Sequence, residues 1–317
     1  MKILVTGIAG FIASHLAERL RSLGHEVVGI DCFTEFYPRV LKELNAEDVK
    51  KAGATIYPLD LATDDFSDAC KGVEIIFHAA ALPGVSEKDP FDLYVRNNIT
   101  ATYRLLEVAR KLPNFKMFVF VSTSSVYGSQ ATDPEDAAAK PSSYYGDTKL
   151  CAEQLALGYF RDQGFPACSL RLFSIYGERE RPDKLFPRVI RSILEDIPFP
   201  LYEGSEHHLR SFTYIQDVID AFVTVLEHLD LVRGEIFNIG WDHEFTTGHA
   251  IQLLENILGK KANFTRVPKR AGDQLRTFAN IKKARRILHY NPTTSLEVGL
   301  RKEAEWYKNR ILGKVKW

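Results

Sequence analysis

Tyr145 and Lys149 stand four positions apart in the run Ser142-Ser-Tyr-Tyr-Gly-Asp-Thr-Lys149, a spacing that puts both on one face of a helix. A phenol with an ordinary pKa of about 10 is a poor base near neutrality. A neighbouring ammonium favours the phenolate and lowers that value. A tyrosine tuned in this way can take a proton from an alcohol while hydride leaves the same carbon. Alone, Y-x-x-x-K describes many surface helices, so its meaning depends on what accompanies it.

The elements that must position such a pair begin at the first residue. Met1-Lys-Ile-Leu-Val-Thr6 reads as a strand, Gly7-Ile-Ala-Gly10-Phe-Ile-Ala13 as a turn, and Leu16, Leu20 and Leu23 mark an amphipathic helix. Strand, glycine turn and helix in this order gather backbone N–H groups and a helix N-terminus around a pyrophosphate. Gly7 permits the tight turn, Gly10 admits the phosphates, and Ala13 is small enough for the helix to pack on the sheet. The next strand, Glu26-Val-Val-Gly-Ile30, ends in Asp31, about 20 residues past the glycines, where a ribose-hydroxyl acceptor is expected. A carboxylate there repels a 2′-phosphate and favours NAD over NADP.

Strand-like and helical segments alternate through the first half. Strands are expected at 55–57, 73–77, 115–122 and 167–173, and helices around 92–111 and 145–163. This pattern gives an α/β fold, a Rossmann-type doubly wound parallel sheet with ligands at the carboxyl ends of its strands, where Gly7, Asp31, Asp60, Ala79 and Thr123 fall. Pro182, Pro187, Pro198 and Pro200 then break the regularity. The expected division is a dinucleotide domain over 1–173, completed by about 213–240, and a smaller C-terminal α+β substrate domain over 174–212 and 241–317.

Among 317 residues, 41 Lys and Arg balance 41 Asp and Glu, so no overall field draws in nucleic acid or an anionic membrane. Cys32, Cys70, Cys151 and Cys168 have no metal-ligand spacing and read as reduced thiols. No metal site and no membrane span are expected, and the protein is taken as soluble and cytoplasmic.

Together the motifs resemble the extended short-chain dehydrogenase/reductase family, in its nucleotide-sugar epimerase and dehydratase branch. The resemblance rests on Thr6-Gly-x-x-Gly-Phe-Ile12, His78-Ala-Ala-Ala, Asn98-Ile-x-Ala-Thr102, Ser122-Thr-Ser-Ser-Val-Tyr-Gly128, Tyr145-x-x-x-Lys149, Arg171-Leu-Phe-Ser-Ile-Tyr-Gly177, Arg181-Pro-Asp, Arg210-Ser-Phe-Thr-Tyr214, Asn238-Ile-Gly240 and Arg270-Ala-Gly-Asp273. Ile30-Asp-Cys-Phe-Thr-Glu-Phe-Tyr37 and Leu82-Pro-Gly-Val85 are most similar to the UDP-glucuronate 4-epimerases. The resemblance implies NAD as cofactor, Thr123 as a proton relay, Tyr145 as base and then acid, and Lys149 holding the nicotinamide ribose and polarising Tyr145. It implies cofactor contacts from Gly7, Gly10, Phe11, Ile12, Asp31, Asp60, Leu61, Ala79, Ala80, Asn98, Ser122, Tyr145 and Lys149. Arg181, Arg210 and Arg270, with Asp273 nearby, are implied to meet the nucleotide diphosphate or uridine, since a guanidinium pairs phosphate oxygens in bidentate fashion. A homodimer through the helices near 92–111 and 145–163 is also implied, with Tyr103, Leu106, Leu155, Tyr159 and Phe160 on the meeting faces.

The residues after Thr123 bear on the reaction. Sugar-nucleotide 4,6-dehydratases of this family place Asp-Glu there and UDP-glucuronate decarboxylases a Glu, whereas this chain has Ser124-Ser125. Hydroxyls donate hydrogen bonds but transfer protons poorly at neutral pH. A 4-epimerase needs neither acid: hydride passes to NAD, the keto sugar rotates, and hydride returns to the other face. With glucuronate the intermediate is a β-keto acid, and Ser124, Ser125 and Ser174 are candidate donors to its carboxylate; generic turn chemistry is the competing reading of these serines. A 4-epimerase of a neutral UDP-hexose is the alternative function, and a noncatalytic NAD-binding sensor is a third. His78 is expected to pack beneath the cofactor loop. Glu178, Lys184, Ser211, Trp241 and Asn280 depart from the family pattern.

Overall fold

The structure, a computed structural model, describes residues 1–84, 89–269 and 274–315. Seven strands form one parallel sheet: β1 (Lys2–Thr6), β2 (Glu26–Ile30), β3 (Thr55–Tyr57), β4 (Ile75–His78), β5 (Met117–Thr123), β6 (Ala167–Leu172) and β7 (Ile236–Ile239). Their order is β7-β6-β5-β4-β1-β2-β3. Strand order reverses between β4 and β2, on either side of β1, which opens a crevice at the carboxyl edge. β5 is buried along its whole length, as a strand covered on both faces must be. Register carries the expected residues to one edge: Thr6 pairs with Ile30 and His78, and Thr123 with Leu172.

The helix α1 (Phe11–Ser22) buries Ala13, Leu16, Ala17 and Leu20, the period-3.6 stripe that the sequence shows. The expected helix at 92–111 is not a single α-helix. A π-helical stretch, Val95–Thr100, lies between Phe91–Tyr94 and Ala101–Ala109; such bulges redirect side chains without ending the helix. Here Asn98 is turned inward, where its Oδ1 accepts from Leu82 N–H (2.7 Å) and its Nδ2 donates to Thr148 Oγ1 (3.0 Å).

Of the segments expected to return to the sheet, Ile236–Ile239 does so, pairing with β6. Thr213–Tyr214 instead pairs with Ile175–Tyr176 in a separate two-stranded sheet, and Ile215–Glu227 is a helix packed on α1. A further four-stranded sheet joins Phe245–Thr246, Leu209–Arg210, Arg276–Thr277 and Gln130–Ala131. It draws together segments from distant parts of the chain. Leu106, expected on an outward face, is fully buried, whereas Tyr103 is 47% exposed. An apolar stripe on a helix cannot distinguish core from partner. No helix among the described residues is long and apolar enough to cross a membrane.

Glu178, one of the departures from the family pattern, has a structural role: Tyr214 Oη donates to its carboxylate at 2.9 Å. Ser211 likewise donates its hydroxyl to the Trp241 carbonyl.

Candidate active site

The glycine turn is built by close backbone approach. Gly7 has φ +70° and donates its N–H to Ile30 O at 2.7 Å; a Cβ there would lie 3.0 Å from the Ala80 backbone. Gly10 donates to Gly7 O at 2.8 Å and caps α1 with extended backbone. No side chain caps α1 and no acid occupies its first turn, so its N-terminal N–H groups face the crevice as an anion site. Phe11 and Ile12 form that first turn. Asp31 is 8% exposed and accepts from Ala9 N–H (3.0 Å) and Phe33 N–H (2.8 Å). Burial raises its pKa, opposed by the Phe33 amide, the Lys42 ammonium and the Ala9 amide.

His78 is fully buried, and burial, followed by the Lys149 charge, lowers its pKa to about 3. It is therefore a neutral imidazole. Thr102 Oγ1 donates to Asn98 O (2.6 Å), so it accepts from His78 Nε2–H at 2.8 Å; Nδ1 then accepts from Thr6 Oγ1 at 2.7 Å. Thr6 Oγ1 in turn accepts from Ala80 N–H at 3.1 Å. The histidine is a strut that fixes Ala79 and Ala80 against the glycine turn.

Asp60 and Leu61 follow β3. The Asp60 carboxylate is held by Arg96 (2.6 Å) and Ala62 N–H (2.8 Å), and Leu61 is buried. The Asn98 amide is taken up by Leu82 and Thr148. Ser122 is buried, with an Oγ that has no partner among the described residues.

Thr123 ends β5 and accepts from Ser125 N–H at 3.1 Å, opening the turn that carries Ser124 and Ser125. Tyr145 lies in the first turn of the helix Tyr144–Gln163, whose Ser143 cap accepts from Gly146 N–H at 3.2 Å. Burial raises the Tyr145 pKa; a hydrogen bond with Thr123 and the Arg181 charge pull it down, and Tyr94 pushes it up.

Lys149, expected to polarise Tyr145, has its hydrogen bond elsewhere in this structure. Lys149 Nζ donates to the Val121 carbonyl at 2.6 Å and sits 4.1 Å from the Phe120 ring centre. Burial lowers its pKa to about 7, and Glu153, one turn along the helix, raises it. Helical spacing puts two residues on one face, but side-chain rotation decides whether their ends meet.

The resemblance sends Arg181 and Arg210 alike toward the nucleotide, and in the structure the two have different partners. Arg181 is 8% exposed, stacks on Phe36 at 5.2 Å and donates to Asp183 at 3.0 Å; its Nη1 is buried without a partner among the described residues. Arg210 lies in the four-stranded sheet, bonded to the carbonyls of Leu209 and Gln274. Arg270 and Asp273 lie outside the described residues. Ser174 adopts φ +41°, and its Oγ lies 3.3 Å from Thr277 Oγ1. Gln274 and Thr277 escape a motif reading because they contact the serine loops through tertiary structure alone; their one sequence signal is their place just after Asp273.

Residues 3–240 match the model of the NAD dependent epimerase/dehydratase family. The chain belongs to that family. Over 318 residues it is 40% identical to the Bacillus subtilis protein named uncharacterized UDP-glucose epimerase YtcB, across 99% of this chain and 100% of that one. It is 32% identical over 330 residues to UDP-glucuronate 4-epimerase 3 of Arabidopsis thaliana, across 96% of this chain and 76% of that one. The crystal structure of a Bacillus cereus UDP-glucuronic acid 4-epimerase, in complex with UDP-glucuronic acid and NAD, superposes with a TM-score of 0.93 at 38% identity, covering 98% and 99% of the two chains. The protein is an NAD-dependent nucleotide-sugar epimerase. Its residues fit the dinucleotide, which supplies a reusable hydride acceptor: the N-terminus of α1 after the glycine turn has no side-chain cap, and the unpartnered Ser122 hydroxyl lies at the same sheet edge.

One consequence concerns the turn itself. Gly7→Ala puts a Cβ on a left-handed backbone, at a cost of about 1–2 kcal/mol, and presses it on Ala80. NAD retention is expected to fall about tenfold or more, measured by titration calorimetry against the unsubstituted enzyme. Unchanged affinity would show that the turn does not need glycine.

Proposed function

We propose that the enzyme inverts carbon 4 of UDP-glucuronate to give UDP-galacturonate through a transient 4-keto sugar. The observation that carries this reading is the buried Arg181 guanidinium, whose Nη1 has no partner among the described residues. Asp183 pairs one nitrogen of that guanidinium, and the remaining buried N–H group favours an acceptor, which the sugar carboxylate supplies at the reacting end of the substrate. The hydroxyls of Ser124, Ser125 and Ser174 border the same edge and can donate to it. Tyr145 moves the proton at the C4 oxygen, with Thr123 as relay, and Lys149 holds the nicotinamide ribose when its ammonium leaves Val121. Arg210, with Arg270 and Asp273, serves the diphosphate and uridine. In this reading the sheet and the cofactor form one lobe, and 174–212 with 241–317 cover the nucleotide sugar. The helices Ala101–Ala109 and Tyr144–Gln163, tied by Tyr159 Oη to Glu107 at 2.6 Å and bearing the exposed Tyr103, form a homodimer face.

A second reading has its own support: the name of the Bacillus subtilis relative at 40% identity points to a neutral UDP-hexose. Parallel incubation with UDP-glucuronate and UDP-glucose, resolved by chromatography of the sugar nucleotides, separates the two. UDP-galacturonate is expected as the main product. Epimerisation of UDP-glucose with no turnover of UDP-glucuronate would decide for the neutral sugar.

A further inference from the structure

We propose that Thr277 is a positioning residue that sets which way the Ser174 hydroxyl directs its proton, and thereby biases the sugar pocket toward an anionic substituent. The inference rests on the reading just given, in which Ser174 faces the sugar.

Ser174 lies two residues past Leu172, the register partner of Thr123, so it stands at the edge that carries the proton relay. Its left-handed backbone, uncommon for a residue with a side chain, is held by Thr213 N–H donating to its carbonyl at 3.1 Å. The side chain is thus aimed by the backbone, leaving the proton as its free variable. Thr277 faces that hydroxyl at 3.3 Å and is itself fully buried.

Hydrogen-bond accounting gives the direction. A hydroxyl has one proton and two acceptor sites. Thr277 Oγ1 uses one acceptor site on Ser211 N–H at 3.2 Å, and its other hydrogen-bonding neighbour among the described residues is Ser174 Oγ. If Ser174 donated to Thr277, the buried Thr277 proton would have no acceptor, which is costly. If Thr277 donates, every buried group is satisfied and the Ser174 proton is free to point at a substrate. A carboxylate oxygen accepts such a proton strongly. A neutral hydroxyl can also accept it, but more weakly. The strand that bears Thr277 begins beside Gln274, which donates to Ser124 O (3.4 Å) and Gly128 O (2.9 Å). One segment therefore braces both serine loops.

The test uses the full-length enzyme loaded with NAD, and reads kcat/KM for UDP-glucuronate and for UDP-glucose. Thr277→Val keeps the shape and removes the hydroxyl. It is expected to lower kcat/KM for UDP-glucuronate about 10- to 100-fold, the range for a hydrogen bond to a charged group, and to change UDP-glucose by less than about threefold. Thr277→Ser should restore the wild-type ratio. Should the valine variant melt early, Ser174→Ala removes the donor that Thr277 orients and should shift the ratio in the same direction. Equal losses on both substrates, or a ratio that serine does not restore, would assign Thr277 a merely structural role and overturn the proposal. Wild-type enzyme inactive on UDP-glucuronate would instead defeat the substrate reading, and the bias with it.

Discussion

Tyr145→Phe is expected to lower turnover by about 10²- to 10⁴-fold, the contribution of a positioned acid–base group, while NAD remains bound. The phenol is half-buried in the first turn of its helix, and burial holds its pKa above the ordinary value. It therefore keeps its proton at neutral pH and depends on Thr123 and Arg181, the groups that pull in the other direction, to become a base. Thr123→Ala should then slow turnover too, by less, because the Arg181 charge remains. The cofactor cradle is built from other elements, the glycine turn and Asp31, so dinucleotide content after purification should match wild type. A Phe variant within about threefold of wild-type turnover would remove Tyr145 from the proton transfer.

Glu153→Leu is expected to cost about 3–5 kcal/mol of stability, as breaking a buried ion pair does. The Glu153 and Arg171 side chains are 0% and 3% exposed, with Arg171 Nη2 at 2.6 Å from Oε1. Glu153 Oε2 also accepts from Arg171 Nε (3.0 Å) and Ser169 Oγ (2.8 Å). On its far side Arg171 donates to Tyr127 Oη at 2.7 Å, which donates to Asn238 Oδ1 at 2.8 Å. The network thus joins the turn after β5, β6, β7 and the helix of Tyr145 into one buried unit. Removing the carboxylate leaves the guanidinium uncompensated and takes away the charge that supports the Lys149 ammonium. The double variant Glu153→Leu, Arg171→Met removes both charges and should recover much of the loss. Urea melts of the three proteins measure this. A loss below about 1 kcal/mol for the single variant would show that the pair is not the lock between these elements.

How much was legible in the sequence follows from the range over which each signal acts. The glycine turn, the acid after β2 and the alternation of strand and helix are local patterns, and each strand end duly carries the residue expected there. Local period also places Tyr145 and Lys149 on one helix. Yet the family motifs Arg171-Leu-Phe and Asn238-Ile-Gly240 look like site signatures, while the structure shows Arg171 and Asn238 buried in the network with Glu153 and Tyr127. Chemistry-bearing residue types serve the core as readily as the crevice, and spacing does not tell which.

By itself, the sequence determined the parallel sheet, the dinucleotide turn and the family, because these depend on residues within a turn or two of one another. Tertiary structure alone decided where the charges end. It turned Lys149 onto the Val121 carbonyl, gave Arg181 and Arg210 different partners, and brought Thr277 across 103 residues to Ser174. Those outcomes depend on side-chain rotation and on burial, and both are settled only when distant segments close around a group and exclude water from it.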